Sequence, residues 1–187
     1  MKSGSYVNPI CMNNIEVEIR SFISEEQYKK LIERFKKEAQ FLGEDEQITY
    51  YFDCPQDLRI QKNTTYSKVW LKKGKLHDDH REEIEVRYAK DDFEKMEQLF
   101  LALGYKPQIK WFRTRHSFKW NDIDVAVDYT RGYGYIIELE KMSSEAEKES
   151  VLAMLKEKLE GIGVSLTPKD EFAKRFEHYK THWQELV

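Results

Sequence analysis

Apolar and charged residues alternate in several short stretches of this 187-residue chain. In residues 14–21, NIEVEIRS, three aliphatic residues occupy one parity, while two glutamates and an arginine occupy the other. Successive side chains of an extended chain point to opposite faces, so this pattern predicts a strand with one apolar and one charged face. The same pairing recurs in residues 81–88, REEIEVRY, and in residues 135–140, YIIELE. We therefore predict a sheet whose strands share an aliphatic face and a charged face.

Four other stretches repeat apolar residues at the three- and four-residue spacing of amphipathic helices. We predict these helices over residues 24–43, 91–104 and 144–161, and from residue 168 onward. Two of them open with a capping-box pair, Ser24 with Gln27 and Ser144 with Glu147. In the second helix the predicted buried stripe consists of Phe93, Met96, Leu99, Phe100 and Leu103.

The remaining sequence is typical of about eight strands, most of them joined by hairpins. We place them near residues 14–21, 47–53, 57–62, 66–73, 82–88, 108–120, 122–129 and 135–141, with turns at 74–79 and at Asn121. The charged positions of all the strands together form one row, and the aliphatic positions form another. We predict an α+β fold, in which an eight-stranded antiparallel β-barrel with a charged interior forms a tunnel and about four helices surround it. A half-open sheet with a solvated, salt-bridged outer face is the alternative structure for this pattern.

Composition narrows the classes of function. The formal net charge is −3 and the pI is near 6.0, so sequence-independent binding of nucleic acid is not expected. No apolar run approaches the ~20 residues of a membrane-spanning helix, and Cys11 and Cys54 lack the spacing of a zinc motif or a disulfide framework. We expect a cytoplasmic protein, monomeric or homodimeric, with one domain over residues 1–187. Its expected parts are a loose N-terminal lead-in at 1–13, a barrel at 14–141 and C-terminal helices at 142–187.

Glutamates occur in pairs along the charged row. The pattern Glu-x-Glu is found on three predicted strands, at Glu16/Glu18, Glu83/Glu85 and Glu138/Glu140. Like charges on one face of a sheet repel each other, and glutamate is disfavoured in strands. A divalent cation would relieve this repulsion, and Mg²⁺ combines one or two carboxylates with phosphate oxygens. Arginines and lysines of the same row would neutralise the rest of a polyphosphate, so the pattern indicates phosphoryl-group chemistry.

These residues resemble the CYTH family of triphosphate tunnel metalloenzymes, which includes class IV adenylyl cyclases, thiamine triphosphatases and inorganic tripolyphosphatases. The family begins with Glu-x-Glu-x-Lys, and this chain has Glu-Val-Glu-Ile-Arg at 16–20. Further similar segments follow in the family's order, namely YYFDCP, DLRIQ, VWLKKG, EEIEVR, RTRHSF and the closing DYTRGYGYIIELE. The resemblance covers residues 14–141, and Trp70 departs from it where relatives more often have a small polar residue.

The resemblance implies a set of site residues. Glu16, Glu18 and Glu140 would hold a catalytic Mg²⁺ or Mn²⁺, and a second metal or the attacking water would be held by Asp128, Glu138 and one of Glu83 or Glu85. Six basic residues would bind the triphosphate, namely Arg20, Arg59, Lys72, Arg87, Arg113 and Arg115. The residues expected to act in catalysis are Glu138, Asp128 and Arg20.

The function implied is metal-dependent hydrolysis of a triphosphate, either inorganic tripolyphosphate or an organic triphosphate. Two alternatives stay open at this point. One is a class IV adenylyl cyclase that makes cyclic AMP from ATP, and the other is a polyphosphate- or nucleotide-binding module without turnover. The expected partner is a small-molecule triphosphate, with no nucleic acid and no membrane.

Overall fold

The computed structural model describes residues 15–72 and 83–187, except for the side chains of Lys72 and Glu83. The strands are β1 (Ile15–Ile23), β2 (Gln40–Phe52), β3 (Asp57–Lys62), β4 (Ser67–Lys72), β5 (Glu83–Tyr88), β6 (Pro107–Trp120), β7 (Ile123–Thr130) and β8 (Gly134–Ser143). The α-helices are α1 (Glu25–Glu38), α2 (Phe93–Ala102), α3 (Lys148–Gly161) and α4 (Lys169–Leu186), and a 3₁₀ turn at Lys90–Asp92 precedes α2. The hairpin tip predicted at 74–79 lies outside the described residues.

The eight strands form one antiparallel sheet in the order β1-β8-β7-β6-β2-β3-β4-β5. In the part of the chain that is described, no backbone ladder joins β1 to β5, so hydrogen bonds do not close the sheet. The sheet is nevertheless curved. Its curvature is seen from Glu18 of β1, Trp70 of β4 and Glu85 of β5, which line the same cavity. The predicted α+β fold with eight antiparallel strands and a charged, tunnel-like interior is thus confirmed. In the described residues its two edge strands, β1 and β5, are not paired with each other.

Helices cover the outer, aliphatic face of most of this sheet. α1 and α3 pack on β1, β6, β7 and β8, where Phe35 and Leu155 are fully buried against Val127 and Leu139. Burying one such side chain contributes about 1.5–3 kcal/mol relative to leaving it exposed. The aliphatic row therefore faces outward beneath the helices, which leaves the charged row on the inner face.

α2 covers a smaller part of the sheet than the sequence predicts. Phe93 is buried in a cluster with β2 and β3, but Leu99 is 51% exposed and Leu103 is 63% exposed, so the predicted burial of these two residues is wrong. Ile84 and Val86 of β5 are also exposed. α2 lies over β3, and the outer face of β5 is left exposed.

The capping boxes have different outcomes at the two helices. Ser24 and Gln27 form the predicted reciprocal bonds at the start of α1. Ser144 also donates its hydroxyl to the Glu147 carboxylate, at 2.8 Å, but α3 begins only at Lys148. The four residues before it form a turn and not the first turn of the helix.

The predicted end of the first helix at Gly43 is wrong. α1 ends at Glu38, and Ala39 has extended backbone angles with φ −136° and ψ 163°. The next residues extend β2, where Phe41 pairs with Phe118 of β6. Pairing with the long strand β6 outweighs the local helical pattern, so β2 is longer than the predicted strand at 47–53.

The predicted hairpin of β6 and β7 is confirmed, and it turns at Asn121. This residue has φ +56°, in the left-handed region that asparagine tolerates better than most residues. The resulting register places Arg115 opposite Asp128. Two charged residues of the inner face are therefore direct neighbours across the hairpin.

α4 occupies a position that the sequence prediction did not anticipate. Instead of covering the outer face, it packs its Phe176 and Tyr179 against Ile109 and Trp111 of β6. These β6 positions have the same parity as Arg113, so they belong to the inner face. α4 therefore lies across one end of the cavity, and only the other three helices lie outside the sheet. None of the helices in the described ranges has the length and apolar character needed to span a bilayer.

Candidate active site

The curved sheet encloses a cavity of about 530 Å³ on its inner face. Alternate residues of the strands supply most of its wall, because every second side chain of a strand points inward. The ionisable groups that line it are Glu16, Glu18, Arg20, Asp45, Tyr51, Arg59, Tyr66, Lys68, Glu85, Arg113, Arg115, Tyr133, Glu138 and Glu140. The cavity thus brings together most of the predicted site residues that lie within the described part of the chain.

Four glutamates of β1 and β8 lie together on one wall. Glu18 is the register partner of Glu140, and Arg20 is the partner of Glu138. The Glu18 carboxylate lies 3.3 Å from Nε of Arg20. With Glu16 one inward position before Glu18, this wall concentrates carboxylates at one end and places a guanidinium beside them.

Glu140 shows how closely these carboxylates crowd. Its burial, followed by the charges of Glu16, Glu18 and Glu138, raises its pKa to about 7. A glutamate whose negative charge is opposed in this way gains from a nearby cation. Carboxylate oxygens are also the ligands that Mg²⁺ and Mn²⁺ prefer.

The donor set therefore fits a divalent metal ion in its chemistry. Its side chains are not already arranged around one point, since no group of three or more His, Cys, Asp or Glu residues within 15–72 and 83–187 is positioned to hold a metal. Glu18 turns toward Arg20 instead. Glu16, Glu18 and Glu140 are the residues that would hold such an ion.

A buried ionic network stands next to this wall. Arg115 donates from Nε to one oxygen of Asp128 at 3.0 Å and from a terminal nitrogen to the other oxygen at 2.6 Å, and it also binds Glu138. Burial lowers the pKa of Arg115, but the charges of Asp128 and Glu138 outweigh burial and hold its pKa above the ordinary value. Burial alone would raise the pKa of Glu138. The charges of the Arg115, Arg113 and Arg20 guanidiniums outweigh burial and bring this pKa down to about 2. Glu138 is therefore ionised at neutral pH.

Arg113 is held less completely than Arg115. One of its terminal nitrogens lies 3.3 Å from Asp128, while its buried Nε has no hydrogen-bond partner among the described residues. A buried donor without a partner is costly, on the order of 1–3 kcal/mol.

Arg59 is fixed on the opposite wall by a residue that the sequence interpretation missed. It makes a two-point bond to Asp57, with distances of 2.6 and 2.5 Å. Its guanidinium carbon also lies 4.2 Å from the ring centroid of Tyr51 and 5.6 Å from that of Trp70. Asp57 precedes Arg59 by two positions on β3 and so lies on the same face, a signal that parity alone could have provided.

Strands β4 and β5 of this wall carry further cations. Lys68 binds Glu85 at 2.7 Å, and Arg87 binds the other oxygen of Glu85 at 2.8 Å. Burial raises the pKa of Glu85. The hydrogen bonds and charges of Lys68 and Arg87 lower it by more, so the pKa of Glu85 lies below its ordinary value. Lys68 lines the cavity, while Arg87 has a side chain that is 65% exposed.

The predicted residues differ in how they face the cavity. Asp128 and Arg87 are absent from the described lining, and Asp128 is buried behind Arg113 and Arg115. The side chains of Lys72 and Glu83 lie outside the described residues. Their backbones are register partners in β4 and β5.

The end of the cavity at α4 is aromatic, which the sequence interpretation missed. Phe172 and Phe176 of α4 line the cavity together with Trp111 and Tyr133 of the strands. The Arg20 guanidinium carbon lies 5.4 Å from the Phe172 ring centroid. Arg20 is thus placed between the carboxylate wall and the aromatic end.

Comparison with known proteins identifies the family. The family model described as "CYTH domain" matches residues 14–171. A Methanocaldococcus jannaschii protein named "Putative adenylate cyclase" is 34% identical over 163 residues, covering 81% of this chain and 91% of that protein.

Solved structures agree with the fold. A protein from Pyrococcus horikoshii OT3 superposes with a TM-score of 0.68 at 24% identity, covering 82% of this chain and 95% of that one. A Hippeastrum protein, described as a "putative adenylyl cyclase" that reveals a dominant triphosphatase activity, superposes with a TM-score of 0.64 at 18% identity, covering 88% of this chain and 95% of its own. The family match extends over most of the chain and includes every strand of the described sheet, and the protein therefore belongs to the CYTH domain family.

Proposed function

We propose that the cavity hydrolyses a linear triphosphate with the help of Mg²⁺ or Mn²⁺. The observation that carries this proposal is the presence, in one cavity, of a crowded carboxylate wall and a set of fixed cations. The carboxylate wall includes Glu16, Glu18 and Glu140, and the fixed cations include Arg59 and Arg113. Carboxylates can hold a metal, and cations can bind phosphate oxygens, so both halves of such a substrate complex are provided.

The charge balance of the cavity supports a need for metal. In the described lining, six carboxylates face five lysine and arginine side chains. A triphosphate brings several negative charges into this nearly balanced site, and repulsion from the carboxylates would oppose it. A divalent cation at the carboxylate wall would remove this repulsion and supply Lewis-acid stabilisation of the phosphoryl group.

The chain's own residues would act mainly by position and charge. Arg20, Arg59, Lys68, Arg113 and Arg115 would orient the phosphates, and the predicted Lys72 belongs to the same proposal. Glu138 is ionised and faces the cavity, so we assign it to hold the attacking water through a hydrogen bond. Asp128 would act through Arg115 and Arg113, which it fixes, rather than by touching the substrate.

The named relatives favour the same class of chemistry. The Hippeastrum structure is described as having a dominant triphosphatase activity, and the archaeal relative carries a cyclase name. A cyclase reaction is the second candidate, because it would use the same phosphate-binding cations. A binding module without turnover is the third, and the retained carboxylate wall weighs against it, since binding an anion alone gains nothing from these acids.

The first experiment measures phosphate release from tripolyphosphate, ATP and thiamine triphosphate, with Mg²⁺ or Mn²⁺ and with EDTA. We expect metal-dependent release that falls at least 100-fold, about 2.7 kcal/mol in the barrier, in Glu18→Gln and in Glu140→Gln. The exposed substitution Glu160→Gln should leave it unchanged. Cyclic AMP as the main product from ATP would favour the cyclase, and binding without any product would overturn the enzymatic proposal.

A further inference from the structure

Two histidines of α4 lie outside the candidate active site. His178 and His182 are exposed, and neither lines the cavity of the carboxylate wall. They are four residues apart, so their side chains are neighbours on one face of the helix. Their rings are stacked, with centroids 4.5 Å apart and an angle of 28° between the ring planes. The pair therefore places two metal-ligating groups side by side on the surface.

The hydrogen bonds of His182 fix the position of its proton. Its Nδ1 lies 2.9 Å from the backbone carbonyl oxygen of His178 and 2.7 Å from the hydroxyl oxygen of Thr181. A carbonyl oxygen can only accept, and the Thr181 hydroxyl directs its own hydrogen to the carbonyls of Glu177 and His178. Nδ1 must therefore be the donor, and in the neutral ring Nε2 then carries the free lone pair. Histidine ligands of metals usually donate their other ring N–H in this way, so His182 is already arranged as a ligand through Nε2.

The spacing of the two rings suits a shared ion. Zinc–nitrogen bonds of about 2.0–2.1 Å and a tetrahedral angle put the centroids of two imidazole ligands about 5 Å apart. The observed separation of 4.5 Å is close to this value. Histidines at the same spacing on one helix are the zinc ligands of the HExxH motif. Tyr179 stands where that motif has its glutamate, so the pair lacks the general base of the motif and is a binding site only.

The charges around the pair permit a cation there. Two basic residues that precede it on α4 are each neutralised, Lys174 by Asp170 at 3.2 Å and Arg175 by Glu171 at 2.6 Å. Glu185 follows the second histidine by three positions and so lies on the same face. Within the described residues no group of three ligands is in place, so water would complete the coordination, with the Glu185 carboxylate one turn away.

We propose that His178 and His182 bind one transition-metal ion, Zn²⁺, Ni²⁺ or Cu²⁺, through their imidazole nitrogens. Imidazole suits these ions, whereas Mg²⁺ prefers oxygen ligands, so the site takes a different class of metal from the carboxylate wall. The ion bridges two consecutive turns of α4. The same half of the helix is tied to β6 by Trp183, whose indole nitrogen donates to the Gln108 carbonyl at 2.8 Å. Binding therefore stabilises the second half of α4, and it does so independently of the proposed function.

The test measures metal binding by protein that has been treated with EDTA and dialysed. Isothermal titration calorimetry with Zn²⁺ in the presence of excess Mg²⁺ gives the affinity, and electron paramagnetic resonance with Cu²⁺ identifies nitrogen ligands. Because two ligands on one helix act as a chelate, His178→Gln and His182→Gln should each lower the Zn²⁺ affinity about tenfold or more. The chain has five histidines, and the double variant His77→Gln/His80→Gln is the matched control, which should keep the α4 site. Zn²⁺ should also raise the Tm of the wild type and of this control, but not of the two α4 variants.

The outcomes separate this inference from the proposed function. A Zn²⁺ affinity that is unchanged in both α4 variants would overturn the site, and so would a Cu²⁺ spectrum with oxygen ligands only or a wild type that binds no Zn²⁺. Circular dichroism shows whether the variants keep their helices. Hydrolysis of tripolyphosphate with Mg²⁺ should be the same in the wild type and the α4 variants, so either the metal site or the hydrolytic function can fail without the other.

Discussion

Two neighbouring inward glutamates of β8 have opposite electrostatic surroundings. Glu138 faces guanidiniums, which bring its pKa down to about 2 despite its burial. Glu140 is buried near Glu16 and Glu18, and its pKa rises to about 7. At neutral pH one of the pair is ionised and the other is close to its midpoint. The charge of the carboxylate wall therefore depends on pH and on any cation that binds there.

Glu140→Gln should stabilise the metal-free protein at pH 8. The folded-state pKa of Glu140 lies above its unfolded value, so the contribution of this residue to stability is fully present below pH 4.5 and is lost as the pH rises through 7. Removing the charge should recover on the order of 2–3 kcal/mol, which corresponds to roughly 5 °C or more in Tm. Thermal unfolding in EDTA at pH 8 and pH 5 measures this, and at pH 5 the gain should shrink to roughly a quarter. A gain of the same size at both pH values, or one matched by Glu160→Gln, would contradict the electrostatic cause.

Asp128→Ala should strongly destabilise the protein, because it leaves Arg115 buried with one counter-ion fewer. Breaking a buried ion pair from one side costs about 3–5 kcal/mol. Asp122→Ala is the matched control on the same hairpin, since Asp122 pairs with Lys141 at an exposed position, and its cost should stay below about 1 kcal/mol. Urea unfolding monitored by circular dichroism gives both values. Equal effects of the two substitutions would contradict the role assigned to the buried network.

Parity along the strands predicted which residues face inward, but it could not predict their depth. Glu18 and Asp128 both belong to the charged row, yet Glu18 lines the cavity and Asp128 is buried behind arginines. The pairing of Asp57 with Arg59 was missed for a related reason. An acid two positions before an arginine faces the same way in any strand, and only the curvature of the sheet brings the pair out of water.

At the scale of elements, α4 shows the limit of an amphipathic pattern. The spacing of Phe172, Phe176 and Tyr179 correctly predicted a helix with one buried face. It did not predict what that face covers. The signal lay on β6, where Ile109 and Trp111 interrupt the charged parity and provide an apolar surface at one end of the inner face.

Gly132→Ala should weaken the contact between α4 and the β7–β8 turn. Gly132 has φ +71°, and an added Cβ would lie 2.5 Å from Cβ of Leu186 near the end of α4. Gly163 is a matched control, since its φ of +81° imposes the same backbone strain but nothing lies within 4 Å. We expect about 1 kcal/mol of destabilisation in Gly163→Ala, and about 1–3 kcal/mol more in Gly132→Ala from the steric conflict. Urea unfolding gives the difference, and hydrogen exchange should show faster exchange at residues 180–187 only in Gly132→Ala. Equal costs would mean that Leu186 moves away freely.

At the scale of the whole molecule, the two edge strands of the sheet, β1 and β5, differ in how far other parts of the chain cover them. The β1 edge is covered by the segment before α4, where Thr167 accepts from the Phe22 backbone nitrogen at 3.0 Å and Ser21 donates to the Ser165 carbonyl at 2.6 Å. No comparable cover on β5 is found in the described residues. The sequence could predict eight strands and their inner face, because both follow from local alternation. It could not predict the seam, meaning the gap between β1 and β5 across which the described residues form no backbone ladder. Whether these two strands pair depends on the curvature of the whole sheet.

Tripolyphosphate with Mg²⁺ should therefore stabilise β5 by connecting the two sides of the seam. Arg20 on β1 and Lys68 on β4 line one cavity. A polyanion bound by both would hold together strands that share no backbone ladder in the described parts of the chain. A ligand at 100 times its Kd stabilises the state that binds it by about 2.7 kcal/mol, so amide exchange of residues 84–88 should slow about tenfold or more. Hydrogen exchange at short times should leave α1 unchanged, because α1 contributes no residue to the cavity wall. The slowing should be lost in Lys68→Met and kept in Lys95→Met, whose lysine pairs with Asp92 on the surface. Saturation with tripolyphosphate that leaves β5 exchange unchanged would show that the seam is already held by the side chains around it.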